Sequence, residues 1–178
     1  TGNQKTYTFS FWIKRSKLSA QENIIGARYG TLGRYAFLRW NGDDPDKDKL
    51  EFHSGIYSTS STGTSMSFKT NRLFRDVSAW YHIVYSWDTT LSTANDRQKI
   101  YINGVEPSYG TRTNYSSGAT TSWNANSYSM RVGALNSSSY FSGLMSYVAF
   151  VDGTQELPTI FGETDTTTGQ WKIKTDIT

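Results

Sequence analysis

The sequence predicts an all-β chain, with two antiparallel sheets stacked as a β-sandwich of jelly-roll type. Three observations carry that expectation. Aromatic residues make up 15% of the chain although hydrophobic residues total only 36%, and Ser, Thr, Asn and Gly fill much of the rest. That is the balance of many short strands joined by polar loops. About ten segments alternate apolar and polar side chains between turn signals. Helical signals, by contrast, are confined to two single-turn stretches.

The first element, "TYTFSFWIK", turns Tyr7, Phe9, Phe11 and Ile13 to one face, because strand side chains alternate. "NIIGAR" follows, then "YAFLRW" and "KLEFH" flanking the turn "NGDDPDKD", then "SMSFK". The stretch "WYHIVYSWDTT", Trp80 to Thr90, is bulky on both faces: Trp80, His82, Val84 and Ser86 on one, Tyr81, Ile83, Tyr85 and Trp87 on the other. A central sandwich strand buries one face between the sheets, and its other face can be covered by long loops or a bent third layer, so aromatics on both sides are allowed. "KIYI" and "VEPSY" are joined by Asn103-Gly104, a strong hairpin signal because both central residues need positive φ. "SMRVG", "FSGLMSYVAFVDG" and "QWKIK" close the series. "LFRDVSAW" and "ELPTIFGE" each have room for one helical turn, the second with Pro158 early and Gly162 at its end. The span from Ser108 to Ser127 is the nearest thing to a linker, although Tyr109, Tyr115 and Trp123 argue against plain disorder.

The 178 residues are expected to form a single domain, residues 1–178, excised from a longer chain; that length buries a core without covalent staples. There is no cysteine, which excludes disulfides and thiolate metal sites. Eighteen basic and 15 acidic side chains leave a formal charge of +3. The one basic run, Lys14, Arg15 and Lys17 in "KRSK", reads as a solvated strand end and is too small for a nucleic-acid footprint. No apolar run approaches membrane-spanning length. Neither nucleic acid nor membrane is expected as a partner.

Three separated stretches, "TYTFSFWIKRS", "WYHIVYSWDTT" and "KIYINGVE", resemble the concanavalin A-like lectin/glucanase domains of laminin-G type. The longer segments "GNQKTYTFSFWIKRS", "LFRDVSAWYHIVYSWDTTLSTANDRQKIYINGVE" and "GLMSYVAFVDGTQELPTIFGETDTTTGQWKIK" are similar to the version found in marine bacteriophage tail-fibre or virion proteins. The resemblance covers most of the chain and is weakest from Tyr109 to Tyr128. It implies the jelly-roll fold. It does not specify an activity, since this fold hosts lectins, hydrolases and plain structural modules.

Glucanases of this fold carry E-x-D-x-x-E on a bent strand, and retaining chemistry needs two carboxyl groups about 5–5.5 Å apart. The glutamates here are Glu22, Glu51, Glu106, Glu156 and Glu163. Only "ETDTTTG" echoes the pattern, with Glu163 and Asp165 in what reads as loop and Thr168 in the last carboxylate's place. His53 and His82 are too few for a three-histidine zinc site, and His82 is expected to be hydrogen-bonded inside the sandwich. The chain is therefore read as no enzyme.

Two ligand sites are expected, each with a plainer alternative. Asp43, Asp44, Asp46 and Asp48 offer hard oxygens for calcium, an ion that many laminin-G-like relatives bind at a rim; the alternative is a soluble hairpin turn. Asp88, with Asn95 or Asp96 across the loop, either joins a calcium site or caps its own turn. Trp123, Asn124, Asn126 and Tyr128, with Tyr115 and Tyr140 nearby, pair flat apolar faces with short amides as a sugar site does. Alternatively, Trp123 plugs the end of the sandwich and the asparagines make turns. The functional expectation is a non-catalytic recognition module on a virion or tail-fibre surface. It would hold a host-surface glycan weakly, with avidity from several copies and from other virion subunits in a multimeric parent. A purely structural or decoration module and a divergent glycoside hydrolase are the alternatives.

Overall fold

The computed structural model describes residues 2–29, 34–55, 65–135 and 140–175. Among them run β1 (Thr6–Arg15), β2 (Glu22–Tyr29), β3 (Arg34–Trp40), β4 (Lys49–Gly55), β5 (Ser65–Leu73), β6 (Tyr81–Asp88), β7 (Gln98–Ile102) and β8 (Tyr109–Arg112). β9 (Ser129–Val132), β10 (Gly143–Asp152), β11 (Gly162–Thr164) and β12 (Trp171–Ile173) complete the order. One antiparallel sheet has the order β10-β1-β6-β7, the other β8-β5-β4-β3-β2-β9, and β11 and β12 form a separate hairpin. This is the two-sheet antiparallel sandwich that the alternating segments predict.

Period-two alternation decides which side chains enter the core. In the four-stranded sheet Tyr7 pairs with Trp87, Phe9 with Tyr85 and Phe11 with Ile83, and all six are buried in the core, joined by Ile100 and Ile102 of β7. The six-stranded sheet faces them with Leu38, Trp40, Leu50, Phe52, Met66 and Phe68. Ring meets ring across the gap: Phe52 lies 4.6 Å from Tyr85 and 5.1 Å from Trp87, centroid to centroid, in the tilted and edge-on arrangements that aromatic quadrupoles favour.

The span from Ser108 to Ser127 is no linker. Tyr115, Trp123 and Ala125 of this stretch enter the core, and so does Tyr128 just beyond it. The Tyr115 hydroxyl donates to Ser54 Oγ at 2.6 Å, and the Tyr7 hydroxyl donates to Thr121 Oγ1 at 2.8 Å. Those partners let two phenols go under cover.

Other expectations need correction. Asn103 and Gly104 do turn the chain at positive φ, 50° and 82°, and Ile102 and Val105 exchange both backbone hydrogen bonds. The ladder stops there, however, because Pro107 has no N–H to offer, and the chain crosses to β8 in the opposite sheet. "LFRDVSAW" holds no helical turn; it leaves β5 with Phe74 buried and bends near 77–78. "ELPTIFGE" does hold a 3-10 turn, Pro158–Ile160, and Glu163, read as loop, stands on β11. Arg15 is not a solvated strand end. Its guanidinium is fully enclosed, 3.0 Å from Asp48 Oδ1 and 4.8 Å from the centre of the Trp40 ring. No helix among the described residues is long and apolar enough to cross a membrane.

Candidate functional site

The outward face of β6 carries His82, Val84 and Ser86, all buried. The cover is the chain beyond β10. Thr8 Oγ1 donates to the carbonyl of Thr154 and accepts from the Glu156 amide, each at 2.8 Å. The segment then turns through Pro158–Ile160 and returns as the β11–β12 hairpin, which sets Trp171 over His82. The two rings lie 18° apart with centroids at 6.0 Å, and Trp12 stacks on the same imidazole at 4.9 Å and 14°.

Hydrogen bonding defines the state of that imidazole. Trp171 Nε1 lies 2.9 Å from His82 Nδ1, and an indole N–H can only donate. Nδ1 is therefore an acceptor, the ring proton sits on Nε2, and Nε2 has Ser10 Oγ at 2.9 Å. The backbone is held as well: His82 N donates to Asn103 Oδ1 at 2.7 Å, and Asn103 N donates to His82 O at 2.9 Å. A Cβ on Gly104 or Gly162 would stand 2.6 Å from Trp171 ring atoms, so these glycines leave the indole its seat.

Burial pushes the His82 pKa down to about 4. Because the folded value lies below the ordinary value near 6.5, the unfolded chain binds more protons between those limits. Stability from neutral His82 is complete above pH 6.5, falls as pH drops toward 4, and levels off below. The expected loss is about 3 kcal/mol across that window. Burial also lowers the pKa of His53, which adds a loss of the same sign. Urea unfolding midpoints of wild type and His82→Gln between pH 4 and 7 check this, and the variant should lose the larger part of the slope.

Beside Trp171 opens a cleft of about 310 Å³, lined by Trp12, Trp80, Ser146, Trp171, Lys172 and Ile173. Trp12 comes from β1, Ser146 from β10 and the last three from β12, while Trp80 stands one residue before β6. Trp80 is 39% exposed, so part of its surface is open to solvent. Lys172 is paired, 3.1 Å from Asp165 Oδ2 and 3.5 Å from Glu163 Oε1. The cleft thus has three indoles in its lining, of which Trp12 is 7% exposed with one face on His82, together with a hydroxyl and an ammonium that two carboxylates already engage.

Sequence reasoning did not single out these three tryptophans as a site. The available signal was the second bulky face of β6, which allowed for a cover, together with the isolated tryptophan in "QWKIK". The residues it did single out lie elsewhere. Trp123 is 1% exposed, with Phe9 at 5.2 Å and Phe52 at 6.3 Å, centroid to centroid; its rings stack on the core and offer no face to a sugar. Tyr115 and Tyr128 are buried too. Asn124 sits at φ 58° and its amide donates to Asp152 Oδ1 at 2.8 Å and to Asn3 O at 3.2 Å, a turn and a tie between loops. Asn126 is exposed, and Tyr140 is 60% exposed beside β2. Residues 136–139 lie outside the described residues.

The aspartates expected to gather calcium hold cations of the protein instead. Asp46 binds Lys49 and Lys69, both at 2.8 Å, and Asp44 binds Lys47 at 2.7 Å. Asp48 accepts from Arg15 at 3.0 Å, Arg75 at 3.2 Å and the Ser19 amide at 2.7 Å. The Asp43 amide donates to Asn41 Oδ1 at 2.7 Å, as the turn reading requires. Asp88 caps its own turn, accepting from Thr90 N at 2.8 Å and Thr90 Oγ1 at 2.6 Å. Asp96 pairs with Lys99 at 3.3 Å, and Asn95 Oδ1 accepts from Asn114. Among the described residues no group of three or more His, Asp or Glu is placed to hold a metal ion.

A family model described as concanavalin A-like lectin/glucanases superfamily matches residues 1–160. Among solved structures, the chain is similar to domain 4 of AbnA, a GH43 extracellular arabinanase from Geobacillus stearothermophilus, in complex with arabinotriose. The TM-score is 0.57 at 20% identity, covering 86% of this chain and 64% of that one. It is also similar to a proposed carbohydrate binding protein from Bacteroides ovatus, with a TM-score of 0.56 at 17% identity, covering 87% of this chain and 40% of that one. The chain therefore spans less than two thirds of the length of either structure. At these identities the likeness speaks for the fold. No curated protein matches the sequence.

Proposed function

Because the chain belongs to the concanavalin A-like lectin/glucanases superfamily, we propose that it is a lectin-like module that binds carbohydrate in the tryptophan-lined cleft. The observation that carries this reading is the convergence of Trp12, Trp80 and Trp171 on one opening. Flat indole faces pack against sugar C–H groups, while a few polar groups set orientation. Ser146 and Lys172 stand in the lining for the second task. Lys172 already has Asp165 and Glu163 as counter-ions, so the ligand that fits is a neutral glycan. The carbohydrate-related names of the two similar structures support the same class.

The reading is one of binding without turnover. Asp165 is held at about pKa 2 by the Thr168 amide first, then by Lys172 and the Thr167 amide, whereas a general acid needs a raised value. The resemblance of the sequence motifs to phage tail-fibre and virion domains supports a further reading, in which the module displays this cleft on a particle surface. Weak single-site affinity for a host glycan would then be multiplied by copy number.

The test is a glycan array with the domain displayed multivalently. Titration with linear arabino-, xylo-, cello- and chito-oligosaccharides, arabinotriose included, then follows. Trp80→Ala should weaken binding about tenfold, the equivalent of roughly 1.4 kcal/mol for one lost stacking face. Gly162→Ala, whose Cβ would push Trp171 from its seat, should weaken it similarly. Retention of no glycan, or equal affinity in the Trp80 variant, would count against the cleft and favour a purely structural module.

A further inference from the structure

The strand that contributes Ser146 to the cleft carries a defect beside that residue. Between the pairs Ser10↔Ala149 and Trp12↔Ser146, β1 contributes one residue and β10 contributes two, Tyr147 and Val148. Two residues opposing one is a β-bulge, a device that re-aims side chains and clusters near binding sites. Tyr147 takes φ 49°, a region that bulky residues rarely enter. Tyr147 is 52% exposed, on the edge strand of its sheet. A glycine would hold that backbone at no steric cost, yet the chain places a large aromatic there.

Next to this bulge lies a second cavity of about 190 Å³, lined by Ser10, Trp12, Tyr147, Val148, Ala149 and Phe161. Ser10 and Trp12 are alternate residues on the outward face of β1, so the cavity lies on the same face as the tryptophan cleft. Both openings have Trp12 in their lining. Each takes its near wall from β10, through Ser146 in one and Tyr147 to Ala149 in the other. Each takes its far wall from the returning C-terminal segment, through Trp171 and Ile173 in one and Phe161 in the other. From Ser146 to Ala149 the strand advances by about 10 Å at the usual rise, less the shortening of the bulge. That is room for a second sugar ring beyond the one at Trp80.

We propose that the cleft continues past Trp12 into a second subsite walled by Tyr147, so that the site takes an internal stretch of a linear oligosaccharide of two or more sugars, with Tyr147 setting the preference for length. This rests on the carbohydrate reading of the cleft. The bulge supplies what a regular edge strand would not: a half-exposed aromatic residue in the lining of the second cavity. Trp12, in the lining of both, places the second cavity next to the first.

The experiment titrates the whole chain with the oligosaccharide panel above in lengths of one to six residues, by calorimetry, for wild type, Trp80→Ala, Tyr147→Ala and Tyr147→Gly. Wild-type affinity should rise at least tenfold between one and three residues and then level off. Trp80→Ala should lower affinity by a similar factor at every length. Both Tyr147 variants should lower it by a factor that grows with length. The glycine variant, which removes the ring without backbone cost, guards against a folding artefact. Wild-type affinity independent of length, or Tyr147 variants that match wild type or lose the same factor at every length, overturns the second subsite and leaves the tryptophan cleft standing. Binding of no oligosaccharide of any length overturns both.

Discussion

Replacing Trp123 with alanine is expected to lower unfolding free energy by about 3–5 kcal/mol, the range for removing a large buried aromatic side chain. The indole is covered by Phe9 on one sheet and Phe52 on the other, so its loss opens a cavity bounded by both layers. Because neither face is open, the same substitution should leave glycan affinity unchanged once the protein is cooled enough to stay folded. Urea unfolding with parallel calorimetric titration checks both halves. A stable variant that has lost binding would return Trp123 to the role its loop composition suggests.

The second large effect belongs to Asp48. Removing its carboxylate by Asp48→Ala leaves the Arg15 guanidinium buried with its principal counter-ion gone, and breaking a buried pair in that way costs about 3–5 kcal/mol. Glu22 offers little compensation. It approaches Arg15 only to 3.8 Å, and burial raises its pKa in spite of the arginine's charge. Burial works against Asp48 too, but the Ser19 amide and then Arg15 and Arg75 outweigh it and hold its pKa below the ordinary value. A carboxylate with a depressed folded value stabilises above its unfolded value near 3.9 and loses that contribution as pH falls through the folded value. Asp48→Asn, which keeps an acceptor for the Ser19 amide, should cost less than alanine. Calcium should not raise the melting temperature of wild type, since the ion would have to displace lysines and arginines already seated on these aspartates. A calcium-dependent rise would mark a genuine site and restore the metal to the account.

The fold was legible because its signal is local. Tyr7, Phe9, Phe11 and Ile13 announce their common face within one strand, and Asn103-Gly104 announces its turn within two residues. Burial of a loop is not local. Nothing near Trp123 in the chain distinguishes a solvent-facing platform from a plug, and only Phe9 and Phe52, far off in sequence, decide it. Arg15 and Asp48 are 33 positions apart, and neither "KRSK" nor "NGDDPDKD" reveals that the end of β1 and the turn meet. The candidate site is the extreme case. Trp12 and Trp171 belong to opposite ends of the chain, and each looks like an ordinary strand residue until β12 folds back over β1 and β6. Beside the isolated tryptophan in "QWKIK", the local hint was the doubled face of "WYHIVYSW". It left room for a cover of long loops or a third layer, and the cover is one wall of the cleft.

The central claim is that the outward tryptophans, and not the loop aromatics or the aspartate turn, meet the ligand. The chain has six tryptophans, so six indole N–H signals report on the whole question in one nitrogen–proton correlation spectrum. Titration with the glycan best retained on the array should shift the signals of Trp12, Trp80 and Trp171 and leave those of Trp40, Trp87 and Trp123 in place. Shifts confined to Trp40, Trp87 and Trp123, or to amides around Asn126 and Tyr140 with the cleft three unmoved, would contradict it.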